Sequence, residues 1–346
     1  MRVRDNAVID AHAHVFPRKA AAYTDTGKTW YGSVIERGKN GEPVITTGSL
    51  RYAFSSPLPY EGPEARLAIM DDVGVDVQIL SVLPPFFRYE LDEEIGLAAA
   101  QAINDDIAEL CRMWPDRFIG LATLPLQDPE ASVRELGRAM DDLGLVGAII
   151  GTHVRGHDLD QPRLFPVLEE MSKRRAFVLC HPTKPRNIEG MESAFLNFLI
   201  GGYWDSAVAI SSLIFGGVLD RLPDLTFCFT HGGGFAPYAM GRIERASRMQ
   251  PDEHDVKMPP RAYLDRMYFD SLLGDDRALR YLVDTVGSDR VVLGTDFAAS
   301  SDTAATVATV TDSRLLSQEE KLAVTGGNAA ELLRRLGHLP AQSTAS

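Results

Sequence analysis

The sequence predicts an α/β protein, a (β/α)8 TIM barrel with a long insert after its first strand. Three observations carry that expectation. Eight short apolar runs recur along the chain, most of them separated by stretches with helical periodicity. Some runs, such as Val146-Gly147-Ala148-Ile149-Ile150, are apolar throughout instead of alternating, as strands covered on both faces are. Histidines or an aspartate stand in or at the end of four of them, which is expected when a barrel gathers its functional side chains at one rim.

Taken in order, Ala7 to Ile9 opens the first strand. Phe16 to Tyr60 follows, with Gly, Pro, Thr and scattered aromatic residues. It is too long for an ordinary connection and reads as an irregular loop that covers the active site. Pro63 to Val73 is an amphipathic helical pattern leading to the second strand, Val75 to Val82, and a long helix beginning near Glu90 leads to the third, Arg117 to Leu124. Helix Pro129 to Leu143 precedes strand Leu145 to Gly151, and helix Pro162 to Arg174 precedes strand Phe177 to His181. Phe195 to Phe215 is the most apolar stretch. Tyr203 and Asp205 interrupt it, so it reads as a buried helix and not as a membrane span. Strands Leu225 to Thr230, Met267 to Ser271 and Val291 to Thr295 complete the set, with helices at Asp276 to Val286 and Glu319 to Leu336. Residues 1–339 are thus expected to form a single barrel domain with 16–60 as its insert, and 340–346 a disordered tail.

The chain has 346 residues, 45% of them hydrophobic and 24% charged, which is ordinary for a globular enzyme with a large core. Its 35 Lys and Arg against 48 Asp and Glu give a net charge of −13, which argues against nucleic acid as a partner. The N-terminus enters a strand without an apolar signal core, so no membrane partner and a cytoplasmic location are expected. Cys111, Cys180 and Cys228 have no paired spacing and read as reduced core residues.

The chemistry is concentrated in four short motifs. Successive side chains on a strand alternate faces, so His12 and His14 of Asp10-Ala11-His12-Ala13-His14 point the same way and can grip one cation. His181 closes Leu179-Cys180-His181, His231 follows Phe229-Thr230, and Asp296 follows Leu293-Gly294-Thr295. Any one of these histidines alone would more often be a hydrogen-bonded core residue. Matching strand-end positions for all of them make a metal site the better reading. Imidazole and carboxylate ligands together suit zinc, with manganese or iron as alternatives.

These motifs are joined by Phe118-Ile119-Gly120-Leu121-Ala122-Thr123-Leu124-Pro125, by Ile150-Gly151-Thr152-His153-Val154, and by His231-Gly232-Gly233-Gly234 followed by Gly241-Arg242-Ile243-Glu244. Together they resemble the metal-dependent amidohydrolase superfamily. The likeness is to the branch of α-amino-β-carboxymuconate-ε-semialdehyde decarboxylase and related aromatic-acid decarboxylases, from Ile9 to about Leu336. The resemblance implies that His12, His14, His181 and Asp296 bind the metal and that His231 is an acid/base beside water held by the cation. It also implies that Arg51 receives a substrate carboxylate and that Arg242 reaches a neighbouring subunit's site in a homodimer. A guanidinium fork suits a carboxylate in either role. His153 and His157 read as structural.

The chain also departs from that pattern. The family's proline- and aromatic-rich segment after the aspartate is replaced by Phe297-Ala298-Ala299-Ser300-Ser301-Asp302, with Phe297 as a candidate substrate contact. Thr183 stands where the family has an aromatic residue, and Phe198 near where it has a tryptophan. The pocket is therefore altered. The expected function is a metal-dependent non-oxidative decarboxylase, a carboxy-lyase acting on a small aromatic or enol-type carboxylic acid. The cation and the arginines would hold the substrate, and Asp296 or water activated by His231 would protonate the carbon that loses carbon dioxide. The alternative is a hydrolase of an amide, lactone or ring carbonyl, because one constellation serves both reactions.

Overall fold

Eight parallel strands form the barrel wall in the computed structural model: β1 (Ile9–Val15), β2 (Val77–Val82), β3 (Phe118–Gly120 with Ala122–Thr123), β4 (Gly147–Gly151), β5 (Phe177–His181), β6 (Phe227–Phe229), β7 (Tyr268–Asp270) and β8 (Val291–Val292). The structure describes all residues except 1–3, 5, 49, 55–56, 184–185, 187–190, 192–195, 255, 300–301 and 341–346, with the side chains of Leu50, Pro59 and Phe198 also outside it. The expectations for the tail beyond Pro340 and for the Phe198 side chain therefore lie outside the described residues. Pairing runs in chain order from β1 to β3 and from β3 to β8. The ring closes where Ala11 N donates to Leu293 O and Asp296 N to His12 O, joining β1 to the chain beyond β8.

Every residue of β1 is buried, although three of its seven are polar. Alternation sorts them: Ile9 and Ala11 pack in the hydrophobic core, while Asp10, His12 and His14 turn toward the barrel axis and meet residues of β2, β5 and β7. Asp10 ties β1 to the chain after β8. Its Oδ1 accepts from His12 N and Thr295 N, both at 3.1 Å, and its Oδ2 accepts from Thr295 Oγ1 at 2.6 Å and Gln78 Nε2 at 3.0 Å. Asp10→Ala strands all of these donors in a water-free site. It is expected to lower the unfolding free energy by about 3 kcal/mol in chemical denaturation, and an unchanged midpoint would contradict the role of this latch.

Three expectations are corrected. The stretch after β1 is not irregular: a short helix, Arg18–Ala21, leads into an antiparallel sheet of Thr29–Trp30, Ser33–Arg37, Pro43–Thr47 and Leu50–Ala53, paired in that order. Its β-branched runs flank Lys39-Asn40-Gly41, where Gly41 turns at φ +83°, a hairpin signal that the mixed composition masks. Trp30, Ile35, Ile45 and Phe54 of this sheet and its margin join the same hydrophobic cluster as the barrel. Buried Arg88 donates to Tyr31 O and Ser33 Oγ, which ties the sheet to the loop after β2.

The last helix is interrupted: Gln318–Leu322 and Asn328–Arg335 flank a π-helical turn at Ala323–Gly327. A Cβ on Gly326 would lie 1.8 Å from Ala7 O, so the turn opens where the helix backbone touches the approach to β1. The apolar stretch before β6 is an α-helix, Gly202–Phe215, preceded by a π-turn at Asn197–Gly201, and it is not buried throughout. Leu199 is 54% exposed and Ile200 41%, while polar Asp205 is buried on the inward face with Ala209 and Leu213. Among the described residues, no helix is long and apolar enough to cross a membrane.

Candidate metal centre

The C-terminal ends of β1, β5 and β8 bring His12, His14, His181 and Asp296 together, with their candidate ligand atoms within 4.8 Å of one another. His12 Nε2 and His14 Nε2 are 3.1 Å apart, and Asp296 Oδ1 lies 3.0 Å from His14 Nε2 and 3.4 Å from His12 Nε2. Each of these histidines is held by its other ring nitrogen. His12 Nδ1 donates to Asp270 Oδ2 at 2.6 Å, and His181 Nδ1 donates to Pro182 O at 2.5 Å. Ser81 Oγ donates to Ala13 O and so accepts from His14 Nδ1 at 3.0 Å. With Nδ1 engaged by acceptors, the Nε2 atoms are the ones turned inward. His181 Nε2 is buried and, among the described residues, has no hydrogen-bond partner. Converging imidazole lone pairs and one carboxylate fit a divalent cation.

The electrostatics agree with that donor set. Burial, reinforced by the neighbouring histidines, holds His181 well below the usual imidazole range. Burial also lowers His14 and His231, so all three are neutral near pH 7. His12 goes the other way: burial opposes its charge, but hydrogen bonds to Asp270 and Asp296 carry it up to about 10. A cation coordinated there would take the place of that second proton. Burial would raise Asp296, but the neighbouring His12 and His14 hold it well below the usual carboxylate range.

His231 opens the turn after β6. It is at φ +54° and is followed by Gly232, Gly233 and Gly234 at +60°, +74° and +62°. That left-handed run, together with the 2.2 Å that would separate a Cβ on Gly234 from Tyr203 O, explains the glycine triplet. Thr230 Oγ1 donates to Cys180 O and accepts from His231 Nδ1 at 3.0 Å. The His231 ring stands 5.0 Å from His181 and 5.3 Å from His12, beside the ligand cluster and not within it.

The other expected residues are less central. Phe297 is 1% exposed and packs with Ala13 and Ala298, with the Arg66 guanidinium 4.3 Å from its ring centroid. Beside it, Thr295 N and Asp296 N donate to His12 O along β1. Arg51 is exposed and, among the described residues, forms no ion pair. Its strand neighbour Tyr52 occupies the opposite face, where burial and the charge of Asp296 push the phenol up to about 12. Arg242 is exposed on helix Ala236–Met249.

Sequence reasoning missed Tyr52, Ser81, Arg66 and Asp270. Arg66 is buried and donates to His14 O and to Gln78 Oε1. Each of the four is a single polar residue in an apolar or unread context. Only a polar residue near the end of a strand run, as for Ser81 and Asp270, gives a signal.

Residues 9–335 match the protein family described as Amidohydrolase. The chain is 40% identical over 331 residues to 2-amino-3-carboxymuconate-6-semialdehyde decarboxylase of Dictyostelium discoideum, covering 94% of this chain and 91% of that protein. It is 31% identical over 255 residues to gamma-resorcylate decarboxylase of Rhizobium radiobacter, covering 68% and 76%. The crystal structure of 5-carboxyvanillate decarboxylase from Sphingomonas paucimobilis superposes with a TM-score of 0.77 at 25% identity, over 95% of this chain and 99% of that one.

Proposed function

The chain belongs to the amidohydrolase family, in the branch of the semialdehyde and aromatic-acid decarboxylases, and on that premise we propose that it is a metal-dependent non-oxidative decarboxylase of a small aromatic or enol-type carboxylic acid. The observation that carries the proposal is the convergence of His12, His14 and His181 with Asp296 at the barrel mouth, with neutral His231 alongside. A divalent ion held by those four side chains would supply positive charge for the oxygens of a carboxylate and of a hydroxyl next to it.

The remaining work falls to the chain's own residues. His231, with Nδ1 anchored on Thr230, can take a proton at Nε2 and return it to the carbon that loses carbon dioxide. Asp296 can deliver the same proton through its second oxygen. Arg242 binds a substrate carboxylate, and the antiparallel insert covers the mouth and excludes water. Residues 1–339 act as one domain.

Within this reading the ion is zinc, favoured by the three imidazole donors. The working unit is a homodimer in the cytosol. Its dimer face includes Tyr238, 78% exposed, Met249, 68%, and Tyr281, 45%, around Arg242, and apolar groups so exposed suit a subunit contact. The three cysteines are unpaired, as in a reducing compartment.

A panel of hydroxy- and aminobenzoates with carbon dioxide measured directly tests the function. Release from at least one member is expected, abolished by chelation and restored by zinc or manganese. Turnover of lactones or amides with no carbon dioxide from any acid would refute it. The dimer has its own test. Mixing inactive Arg242→Ala with inactive His231→Ala should restore part of the activity, because one site in a hybrid dimer then holds both residues intact. No recovery after confirmed subunit exchange would return Arg242 to its own subunit.

A further inference from the structure

We propose that Asp270, at the end of β7, is a positioning residue that fixes which ring nitrogen of His12 faces the metal and couples that choice to the turn carrying His231. The inference rests on the proposed role of His12 as a ligand. His12 and Asp270 are both 0% exposed and 258 positions apart in sequence, yet Asp270 Oδ2 lies 2.6 Å from His12 Nδ1. An ionised carboxylate can only accept, so Nδ1 carries the hydrogen and Nε2 is the atom left for a cation. Ser81 hydroxyl and Pro182 carbonyl hold the other two rings. Only His12 is held by a charged group.

The second oxygen of Asp270 is committed as well. Oδ1 accepts from Gly232 N at 3.0 Å and from Leu272 N at 3.1 Å. Gly232 directly follows His231, and both sit in the left-handed region, so this bond anchors a turn whose backbone is otherwise unfavourable. Space for the pair comes from Gly294 in the motif that ends in Asp296. A Cβ there would lie 2.7 Å from Asp270 Cβ and 2.9 Å from His12 Cβ. One carboxylate therefore spans the ligand on β1 and the acid/base after β6.

Asparagine at 270 keeps the shape and reverses the chemistry. If its oxygen accepts from Gly232 and Leu272, its amide nitrogen faces His12, which must then offer a lone pair at Nδ1 and place its hydrogen on Nε2, closing that atom to a cation. The flipped amide sets two N–H donors against an NH2 group. Alanine removes the partner but leaves the ring free to adopt either tautomer. The proposal thus ranks Asp270→Asn as at least as damaging as Asp270→Ala, whereas a role in packing alone would make the isosteric change the milder one.

The test is zinc affinity, by competition with a chromophoric chelator, for the wild type, Asp270→Asn and Asp270→Ala, with chemical denaturation of the metal-free forms to confirm folding. Nitrogen-15 NMR of histidine-labelled, zinc-loaded wild type complements it. Asp270→Asn is expected to weaken zinc binding by roughly 10–100-fold, at least as much as Asp270→Ala, in line with the loss of a group that orients a ligand. In the wild type His12 should bind zinc through Nε2 with hydrogen on Nδ1. Wild-type affinity in the asparagine variant, a milder loss in asparagine than in alanine, or His12 bound through Nδ1 would each overturn the proposal. The NMR result decides even if a variant fails to fold. Wild-type protein that takes up no zinc would instead refute the metal reading and this inference with it. Neither readout depends on whether the enzyme decarboxylates.

Discussion

Protein carrying both His12→Ala and His14→Ala is expected to fold, to retain almost no metal and to release no carbon dioxide from any substrate. The two imidazoles stand on one face of β1 with their Nε2 atoms 3.1 Å apart, so the double substitution removes half of a four-ligand set. His181 and Asp296 that remain are too few to hold a divalent ion against water. Folding should survive because neither histidine belongs to the hydrophobic cluster, and Asp10 still ties β1 to the chain beyond β8. Elemental analysis should fall from about one ion per chain in the wild type to background, since the binding free energy depends on the complete set. Undiminished metal in the double variant would move the site elsewhere.

The second large effect separates proton transfer from metal binding. His231→Ala is expected to keep its metal and lose about 10²–10⁴-fold in kcat, the range typical of a positioned acid or base. The ring stands outside the cluster of ligand atoms and carries no proton at Nε2 near pH 7, because burial and then the charge of His12 hold it down. Alanine at φ +54° keeps the strain that histidine already has, so the glycine turn should be retained. Metal content falling in parallel with kcat would make His231 a ligand.

How much of this was legible in the sequence depended on whether a signal was local. The barrel strands could be read because strands covered on both faces are continuous apolar runs. Even so, the break at Leu121, between the two segments of β3, has no mark in a run that stays apolar. The insert was misread because its strands are short, partly exposed and compositionally mixed. That error hid the register in which Tyr52, and not Arg51, shares a face with the neighbourhood of Asp296. The paired histidines of β1 were legible from alternation alone. Asp270 was not, since its partner lies 258 positions away and no period connects them. The burial of Phe297 against Ala13 and Ala298 was not legible either, because those contacts join the two ends of the barrel ring.

The reaction itself is tested most directly by isotope placement. With a substrate that turns over, the reaction run in deuterium oxide should release carbon dioxide and leave deuterium on the carbon that bore it, delivered through His231 or Asp296. A product that keeps the substrate's carboxylate and takes heavy oxygen from labelled water into a new carboxylate or hydroxyl would contradict the decarboxylase and make the enzyme a hydrolase.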